Sequence, residues 1–546
     1  MTPDVRVFVL DGNTGANRST EGDGTAPEAG PPRVPSDVLD VLGQSFGVAA
    51  ERGVRNRRQT WLDTFDWRLY RAGLELEYEH AARGGRLLLS KDEVPQAEQP
   101  VDNWRRDRPH LAEDLPAGPV RDRVVRLASP RALLPVATAA GPISVARLLN
   151  ADGKTVAKLV VDHPAVTRGD QTVWLPARLT IAEVRGYPGQ ARKAARLLAD
   201  VPGVGTARSS TFLSAVAALG LHPGDYSNSV RAEITARMPA PVAVASVLLG
   251  LLDTLEQNVD GVLRDIDTEF LHDLRVAVRR TRSGIKLLGD VVPGAAPYAP
   301  EFKWLGDLTT PTRDLDVYLL GFGALTAQLA AASPADLEPF RAFLTRRRTR
   351  ETRHLTAGLR SARFHTLTGH WRKVLLEAQD SGRKGPGRST STGSWVLTAD
   401  ELAVARTARV FRRVAAQGAA ITAGSPPEAL HNLRKRCKEL RYVLEFFAPL
   451  HDPAAYRKVV GDLKQLQDVL GEFQDSQVQR EEIHALADAM LAERAAPAAT
   501  LLAMGELAAN LAQQQADARA NFARRFTAFA GPAGQQRVRD LLARPL

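Results

Sequence analysis

FLHDLRVAVRRTRSGIKLL (residues 270–288) and ALHNLRKRCKELRYVLEFF (residues 429–447) carry the same spacing of cations, 159 positions apart. In each stretch a histidine is followed by basic residues at positions i+3, i+7 and i+10. At about 100° per residue, four side chains with this spacing fall on one narrow arc of a helix. The members are His272, Arg275, Arg279 and Arg282 in the first stretch, and His431, Arg434, Lys438 and Arg441 in the second. The pattern predicts two basic helices that can face one another across something long and negative.

An apolar arc borders each basic stripe. Its members are Leu271, Leu274, Val278, Ile285 and Leu288 in the first stretch, and Leu430, Leu433, Cys437, Leu440, Leu444 and Phe447 in the second. A stripe beside the apolar face, and not opposite it, can lean into a groove between helices. The alternative is a solvated stripe stabilised by ion pairs within its own helix. Cys437 is expected in the core and not as a nucleophile.

The repeat continues downstream, because EFKWLGDLTTPTRDLDV (residues 301–317) aligns with DLKQLQDVLGEFQDSQV (residues 462–478). The matched residues are Lys303 with Lys464, Asp307 with Asp468, and Asp314 with Asp475. Such an internal duplication predicts two helical halves packed about a pseudo-twofold axis. These carboxylates and Asp316 are either metal ligands or partners that orient the arginines. We favour orientation and expect no metal.

Composition bounds the class of protein. A chain of 546 residues predicts two or three domains. The formal net charge of +10 favours a polyanion partner without requiring one. A single cysteine excludes an internal disulfide and fits a reducing compartment. The longest apolar run, residues 241–252, is too short to span a bilayer, and no signal pattern stands at the N-terminus. We therefore expect a cytoplasmic protein without a membrane partner.

The patterns of hydrophobicity predict an α+β chain with several domains. Alternating segments at 59–65, 74–80, 85–91, 155–162 and 177–186 are typical of strands, and from about residue 239 the pattern becomes helical. The predicted organisation is a β-rich domain over 1–205 with a disordered insertion at 11–35, a linker over 206–238, and a helical domain over 239–546. Within the helical domain we place halves at 239–380 and 398–546, joined by a polar linker over 381–397.

At HDLRVAVRRTR and HNLRKRCKELRY the sequence closely resembles the CHAD family, the conserved-histidine α-helical domain. The resemblance covers about 300 residues and includes the TRDLDV and LQDVLGEFQD segments. It implies two pseudo-symmetric four-helix bundles with a basic channel between them that binds inorganic polyphosphate. The residues it places there are His272, Arg275, Arg279, Arg282, His431, Arg434, Lys438 and Arg441, with Lys303 and Lys464 as contributors. The histidines either carry charge beside the anion or form neutral hydrogen bonds between helices.

The β-rich region resembles the CYTH, or triphosphate tunnel, family at TWLDTFDWRLYRAGLELEYE (residues 60–79) and ARLTIAEVRG (residues 177–186). That family's opening Glu-x-Glu-x-Lys has no counterpart in VRVFV (residues 5–9). Glu77 and Glu79 stand where the family has phosphate-binding arginines, and only Lys91, Glu183 and Arg185 remain matched. The resemblance therefore implies a degenerate, non-catalytic, β-barrel-like domain. Mg²⁺ or Mn²⁺ is expected only if this domain is active.

Three functions remain open. The leading hypothesis is a polyphosphate-binding protein, directed by the helical domain to polyphosphate granules. The second is a metal-dependent tri- or polyphosphatase to which the helical domain delivers substrate. The third is nucleic-acid binding by the basic groove, which the scarcity of aromatic residues near the stripes disfavours. The sequence leaves the oligomeric state undetermined. The arginine run 346–354 is expected to be a solvated helix face, with a secondary anion patch as the alternative. His365 and His370 lack a strong metal spacing.

Overall fold

A computed structural model describes residues 6–10, 34–51, 55–81, 84–102, 108–230, 232–383 and 397–543. The chain divides into two compact units, Met1–Tyr226 and Ser227–Leu546. The first unit is a single antiparallel sheet with helices, and the second is helical. The predicted order, a sheet domain followed by a helical domain, is confirmed. All but the last two positions of the expected insertion at 11–35 lie outside the described residues, and so does most of the 381–397 linker.

The first unit is built on a long central strand, β8. The strands are β1 (Arg6–Leu10), β2 (Gly47–Ala50), β3 (Arg55–Thr64), β4 (Glu75–His80), β5 (Gly85–Lys91), β6 (Val94–Val101), β7 (His110–Leu111), β8 (Ala132–Leu149), β9 (Thr155–Asp162), β10 (Ala165–Arg168), β11 (Gln171–Trp174), β12 (Arg178–Glu183) and β13 (Val204–Thr206). Their order is β13-β1-β12-β9-β8-β3-β4-β5-β6. Strands β2, β7 and β10 also pair with β8, and β11 pairs with β10. Its 18 residues let β8 bind strands along its whole length.

Five helices cover this sheet. They are α1 (Ser36–Gly43), α2 (Arg68–Arg71), α3 (Pro119–Ala128), α4 (Pro188–Ala199) and α5 (Thr211–Ala218). Helix α5 lies inside the segment 206–238 that the sequence assigned to a linker. Phe212 of α5 is buried with its ring centroid 6.1 Å from that of Trp61 on β3. The first unit therefore continues to Tyr226, because α5 supplies apolar cover that the sheet needs.

The second unit contains two series of helices in the order of the duplication. They are α6 (Ala240–Leu263), α7 (Thr268–Leu288), α8 (Ala299–Leu320), α9 (Phe322–Thr326), α10 (Glu338–Leu359), α11 (Ala362–Arg383), α12 (Ala399–Ala419), α13 (Pro427–Phe446), α14 (Pro453–Ala492), α15 (Ala498–Ala530) and α16 (Pro532–Leu542). The basic stripes lie on α7 and α13. Each half has a further helix beyond the predicted four, α11 in the first and α16 in the second, besides the short α9. Helix α11 packs on α6 and buries Trp371 completely.

The two helical halves share apolar core. Leu315 and Phe340 of the first half belong to one buried cluster with Ile483 and Leu507 of the second. Helices α7 and α13 also pack together, and Lys286 of α7 lies 2.6 Å from a carboxylate oxygen of Glu439 on α13. Both halves are therefore parts of one folded unit.

The most apolar helix of the second unit is α6. Among the described helices, Ala240–Leu263 is long enough and apolar enough to cross a membrane, judged by length and composition alone. It continues the apolar run 241–252 by a further three turns. In this structure 61% of its most apolar window is buried among the other helices, as in the central helix of a helical bundle. At Gly261 a side chain would overlap the ring of Phe270, so glycine permits the close approach of α6 and α7.

Candidate functional site

A cleft of about 460 Å³ opens between the two halves of the helical unit, and both basic stripes contribute to its walls. Residues of α7 and α8 line it from the first half, and residues of α13 and α14 line it from the second half. The cations and histidines that line it are His272, Arg275, Arg279, Arg313, His431 and Arg434. The carboxylates that line it are Asp314, Asp475 and Glu482. We call this space the cleft.

Matched positions of the duplication meet in the cleft. His272 and His431 are one matched pair, Arg275 and Arg434 a second, and Asp314 and Asp475 a third. Val317 with Val478 and Tyr318 with Gln479 are further pairs, 161 positions apart. The hydroxyl of Tyr318 donates to the backbone oxygen of Gln479 at 3.2 Å, so this pair joins the halves directly. The cleft therefore lies where the two halves are related by the duplication.

In the second half, the partners of the stripe come from α14. Nδ1 of His431 lies 2.7 Å from Oε1 of the buried Gln474. A guanidinium nitrogen of Arg434 donates to Asp475 at 2.9 Å. These contacts fix both side chains at the wall of the cleft, because each side chain of α13 binds a partner on α14.

The first half holds its stripe differently. Arg275 donates to the backbone oxygen of Gly306 at 3.3 Å and to the hydroxyl of Thr310. Arg313 replaces the glutamine of the other half and donates to the backbone oxygen of Thr268 at 3.2 Å. Burial raises the pKa of Asp314, against the lowering influence of Arg275 and Arg313. The two walls are therefore equivalent in position but not in charge.

Lys438 of the second stripe interacts electrostatically with arginines of both stripes. Burial lowers the pKa of its ammonium group to about 8, and Arg434, Arg279 and Arg275 lower it further. The pKa of Arg275 is also lowered, by burial first and then by neighbouring arginines. Such shifts show that these cations repel one another and are poorly solvated. Asp475 opposes the effect on Lys438 only in part.

Other predicted residues lie away from the cleft. Arg282 and Lys303 line a second cavity of about 810 Å³ between α7 and α8, which adjoins the cleft at Arg279. Lys303 also lies 2.7 Å from Asp307 on its own helix. Arg441 donates to Glu445 at 2.7 Å. Lys464 and Asp468 are exposed and line neither cavity. The N-terminal members of both stripes therefore line the cleft, whereas Arg282, Lys303, Arg441 and Lys464 do not.

Two residues outside the stripes have structural roles. Cys437 is fully buried, and burial raises the pKa of its thiol to about 12, as expected of a core residue. Arg348, inside the arginine run that was expected to be solvated, donates to Asp316 at 2.6 Å and to Asp265 at 2.7 Å. The interpretation of Arg348 as solvated was wrong, because it bridges α8 and α10 with Asp316 only 1% exposed.

Some residues of the cleft were not predicted from the sequence. Arg313, Tyr318, Gln474 and Glu482 line the cleft, although only Asp314 and Asp475 of these segments were predicted. Helical spacing carried the signal: Gln474, Val478 and Glu482 follow one another at i, i+4 and i+8. Within the described residues, no group of three or more His, Cys, Asp or Glu side chains is arranged to hold a metal ion.

In the sheet unit, the glutamates that replace the expected arginines are already paired. Arg57 donates to Glu79 at 2.9 Å and lies 3.5 Å from Glu77. Gln59 donates to Glu77 at 2.7 Å, and Asp162 lies 3.4 Å from Arg57. Lys91 and Arg185 are exposed and Glu183 is half-buried. Arg57 is therefore held by three acids of the same sheet.

The helical unit is a domain of two matched halves that meet at a basic cleft. Residues 246–484 match the model of the CHAD domain family, so the resemblance carried by the two motifs is confirmed for this part of the chain. No protein with a curated description matches the sequence.

Solved structures similar to this chain fall into two groups. The CHAD domain of the plant Ricinus communis is 24% identical, with a TM-score of 0.46, and the match covers 56% of this chain and 97% of that one. PptA of Streptomyces chartreusis is 18% identical, with a TM-score of 0.40, and the match covers 53% and 99%. A candidate adenylyl cyclase of Hippeastrum, HpAC1, described as having a dominant triphosphatase activity, is 14% identical with a TM-score of 0.24. That match covers 41% of this chain and 99% of the plant protein.

Proposed function

We propose that the helical unit binds inorganic polyphosphate in the cleft between α7, α8, α13 and α14. One observation carries the proposal: Arg275 and Arg279 line the cleft, Lys438 interacts electrostatically with both, and none of the three has a carboxylate within 4.0 Å in the part of the chain that is described. Structural arginines of the same unit, such as Arg280 and Arg348, have direct acidic partners. Cations that lie together without direct ion pairs favour an anionic ligand.

Electrostatics supports a ligand with several negative charges. Bringing like charges together costs free energy, which is evident in the lowered pKa of Lys438. An anion that contacts all three cations removes this repulsion and gains charge-assisted hydrogen bonds, which arginine forms bidentately with phosphate oxygens. Successive turns of α7 lie about 5.4 Å apart, so a flexible phosphate chain can follow Arg275 and Arg279. The second cavity then offers Arg282 and Lys303 as continuing contacts.

The proposed function is binding of polyphosphate without a chemical reaction. No catalytic residue is assigned, and the sheet unit keeps Arg57 engaged with Glu77, Glu79 and Asp162. A metal-dependent hydrolase remains the alternative, in which Mg²⁺ or Mn²⁺ would be the cofactor. Nucleic acid is the third candidate ligand, and a duplex is far wider than a single phosphate chain. We further propose that polyphosphate binding directs a cytoplasmic protein to polyphosphate granules.

Titration of the full chain with polyphosphates of defined length tests the proposal, with phosphate release followed in the same tube. We expect saturable binding, no release with Mg²⁺ or Mn²⁺, and weak competition by duplex DNA at equal phosphate concentration. The combined variant Arg275→Ala with Arg434→Ala should lose most of the affinity. Arg350→Ala with Arg353→Ala is the matched control, because it removes two exposed arginines from α10. Equal losses in both variants would show a generic basic surface and contradict the cleft.

A further inference from the structure

A smaller cavity of about 170 Å³ adjoins the cleft between α8 and α14, and we call it the side cavity. Its walls are apolar at Pro311, Leu315, Ala485 and Leu486. Asp314, Tyr318 and Glu482 line both the cleft and the side cavity, so the two spaces meet at these residues. Its volume is below the 300–1,000 Å³ or so that a drug-sized ligand occupies. A single ring system is the kind of group that fits.

The two spaces lie one after the other along α14. The cleft takes Gln474 to Glu482 from this helix, and the side cavity takes Glu482 to Leu486. At about 1.5 Å per residue, the ten positions from Asp475 to Ala485 span about 15 Å of the helix. A ligand can therefore extend from the cations of the cleft into the apolar side cavity.

The junction carries carboxylates that a phosphate chain does not need. Asp314 accepts no hydrogen bond from any described residue, whereas its counterpart Asp475 binds Arg434 at 2.9 Å. Glu482 occupies the position that corresponds to Gly321 in the first half, so its carboxylate is a departure from the duplication. Negative groups at this point repel phosphate. They suit a group that donates N–H hydrogen bonds.

Helix α10 contributes a hydrogen-bond donor to the side cavity. Arg347 lines the side cavity, and none of the described carboxylates lies within 4.0 Å of its guanidinium. Carboxylates and a guanidinium that line one small, partly apolar cavity match a base that has an amino group beside a ring nitrogen or carbonyl. Aspartate and glutamate accept hydrogen bonds from amino groups of bases, and arginine donates to ring nitrogens and carbonyls. Adenine, cytosine and guanine have such an edge, and uracil lacks the amino group.

We propose that the cleft and the side cavity together bind a nucleoside triphosphate with an amino-bearing base, its phosphates on the cations of α7 and α13 and its base between α8 and α14. This inference rests on the proposed function, because it requires phosphates in the cleft. Asp314 and Glu482 accept from the amino group, and Arg347 donates to the other polar atom of the base. Burial raises the pKa of both carboxyl groups, and N–H donors would stabilise their ionised forms.

The test compares ATP, GTP and CTP with UTP and tripolyphosphate on the full chain, by calorimetry in EDTA so that no metal-dependent hydrolysis consumes the ligand. We expect the three amino-bearing nucleotides to bind at least fivefold more tightly than UTP and tripolyphosphate. Ala485→Trp fills the side cavity from an exposed position and should abolish this preference without weakening tripolyphosphate. His484→Trp, on the neighbouring exposed position outside the cavity, should preserve the preference. Asp314→Asn should reduce it, because an amide oxygen attracts an amino group less strongly than a carboxylate does.

Nucleotide preference tests the side cavity, and tripolyphosphate affinity tests the cleft. If tripolyphosphate binds and Arg275→Ala weakens it, but all four nucleotides bind alike, the cleft stands and the side-cavity assignment is overturned. A preference that survives both Ala485→Trp and Asp314→Asn overturns it too, because the base then binds elsewhere. If the double variant Arg275→Ala with Arg434→Ala binds tripolyphosphate and the nucleotides as tightly as the unchanged protein does, the proposed function fails.

Discussion

Arg280 on α7 and Glu445 on α13 form an ion pair across the two helical halves, with both Nε and a terminal nitrogen of the arginine within 3.2 Å of one carboxylate oxygen. Lys286 and Glu439 form a second such pair at 2.6 Å. The duplication relates the two, since Arg280 corresponds to Glu439 and Lys286 to Glu445, each 159 positions apart. The pairs are therefore equivalent in place but reversed in charge, with both cations on α7 and both acids on α13.

Loss of the Arg280–Glu445 pair should destabilise the helical unit. The two side chains are 13% and 15% exposed. Glu445→Ala strands the largely buried charge of Arg280, at about 3 kcal/mol or more, whereas Arg280→Ala leaves Glu445 paired with Arg441 and should cost less. A double-mutant cycle with Arg280→Ala and Glu445→Ala should give a coupling free energy of about 1–2 kcal/mol in urea unfolding.

The exposed pair Arg264–Asp260 provides the control for this cycle. Its side chains are 57% and 74% exposed, and the coupling expected from such pairs is below about 0.5 kcal/mol. Similar coupling free energies for both pairs would show that the contact between the halves does not depend on Arg280.

Polyphosphate affinity should depend on position along α7. Arg279 lines both the cleft and the second cavity, whereas Arg282 lines only the second cavity. We expect Arg279→Ala to weaken binding of short and long chains, and Arg282→Ala to weaken binding of long chains alone. Each lost phosphate contact should also reduce the slope of log affinity against log salt by about 0.7. Equal effects of the two variants at every chain length would contradict this path.

Polyphosphate binding should weaken above pH 8. The ammonium group of Lys438 has a pKa of about 8 in the free protein, lowered by burial and by its arginine neighbours. A bound polyanion favours the charged form, so above this pH binding must take up a proton. Affinity is then expected to fall by up to about tenfold per pH unit until the pKa of the complex is reached. Calorimetry between about pH 7 and pH 9.5 measures both the affinity and the proton uptake.

Lys438→Arg is the matched variant, because Arg279 stands at the corresponding position of the other half. Arginine stays charged over this pH range. The variant should keep its affinity up to about pH 9.5 and lose the proton uptake. Persistence of both effects in Lys438→Arg would assign the titration to another group.

Arg348→Ala should destabilise the protein without changing the cleft directly. Its guanidinium binds Asp316, which is 1% exposed and whose other carboxylate oxygen has no hydrogen-bond partner among the described residues. Removing the arginine strands a buried carboxylate, at a cost of about 3–5 kcal/mol. Chemical denaturation measures the loss, and Arg350→Ala on the same helix should cost less than about 0.5 kcal/mol. A loss in Arg348→Ala as small as that of the control would show that Asp316 is solvated.

Cys437 should resist alkylation in the folded protein. Burial raises the pKa of its thiol to about 12, so the reactive thiolate is scarce at about pH 8. Mass spectrometry after treatment with iodoacetamide should show modification only once urea unfolds the helical unit. Rapid alkylation below the unfolding transition would mean that α13 opens locally.

Much of the helical unit follows from the sequence because cations and apolar residues share one helical period. The spacing of His272 and Arg275, repeated in His431 and Arg434, is enough to assign all four residues to one cleft. It does not show which members of each stripe reach the same cavity, so Arg441 and Lys464 were grouped with residues that line the cleft although they do not line it. Which side chains share a cavity depends on how the helices pack together.

The sheet unit was less predictable. The alternating strands around Trp61 and Leu76 are clear, but β8 mixes alanine, proline and glycine over its length and gives no strand signal of its own. Its pairing with neighbouring strands, from β2 to β10, overrides this weak propensity. The short helix with Phe212 was taken for linker because eight residues give too little periodicity to distinguish it.

The reversed pairs between α7 and α13 also bear on how this domain can assemble. Two copies of the first half would oppose Arg280 to Lys286, and two copies of the second would oppose Glu439 to Glu445. Either symmetric dimer would set like charges against each other, and of these four side chains only that of Lys286 is mostly exposed. The charges at this contact therefore favour the association of a first half with a second half over the association of two like halves.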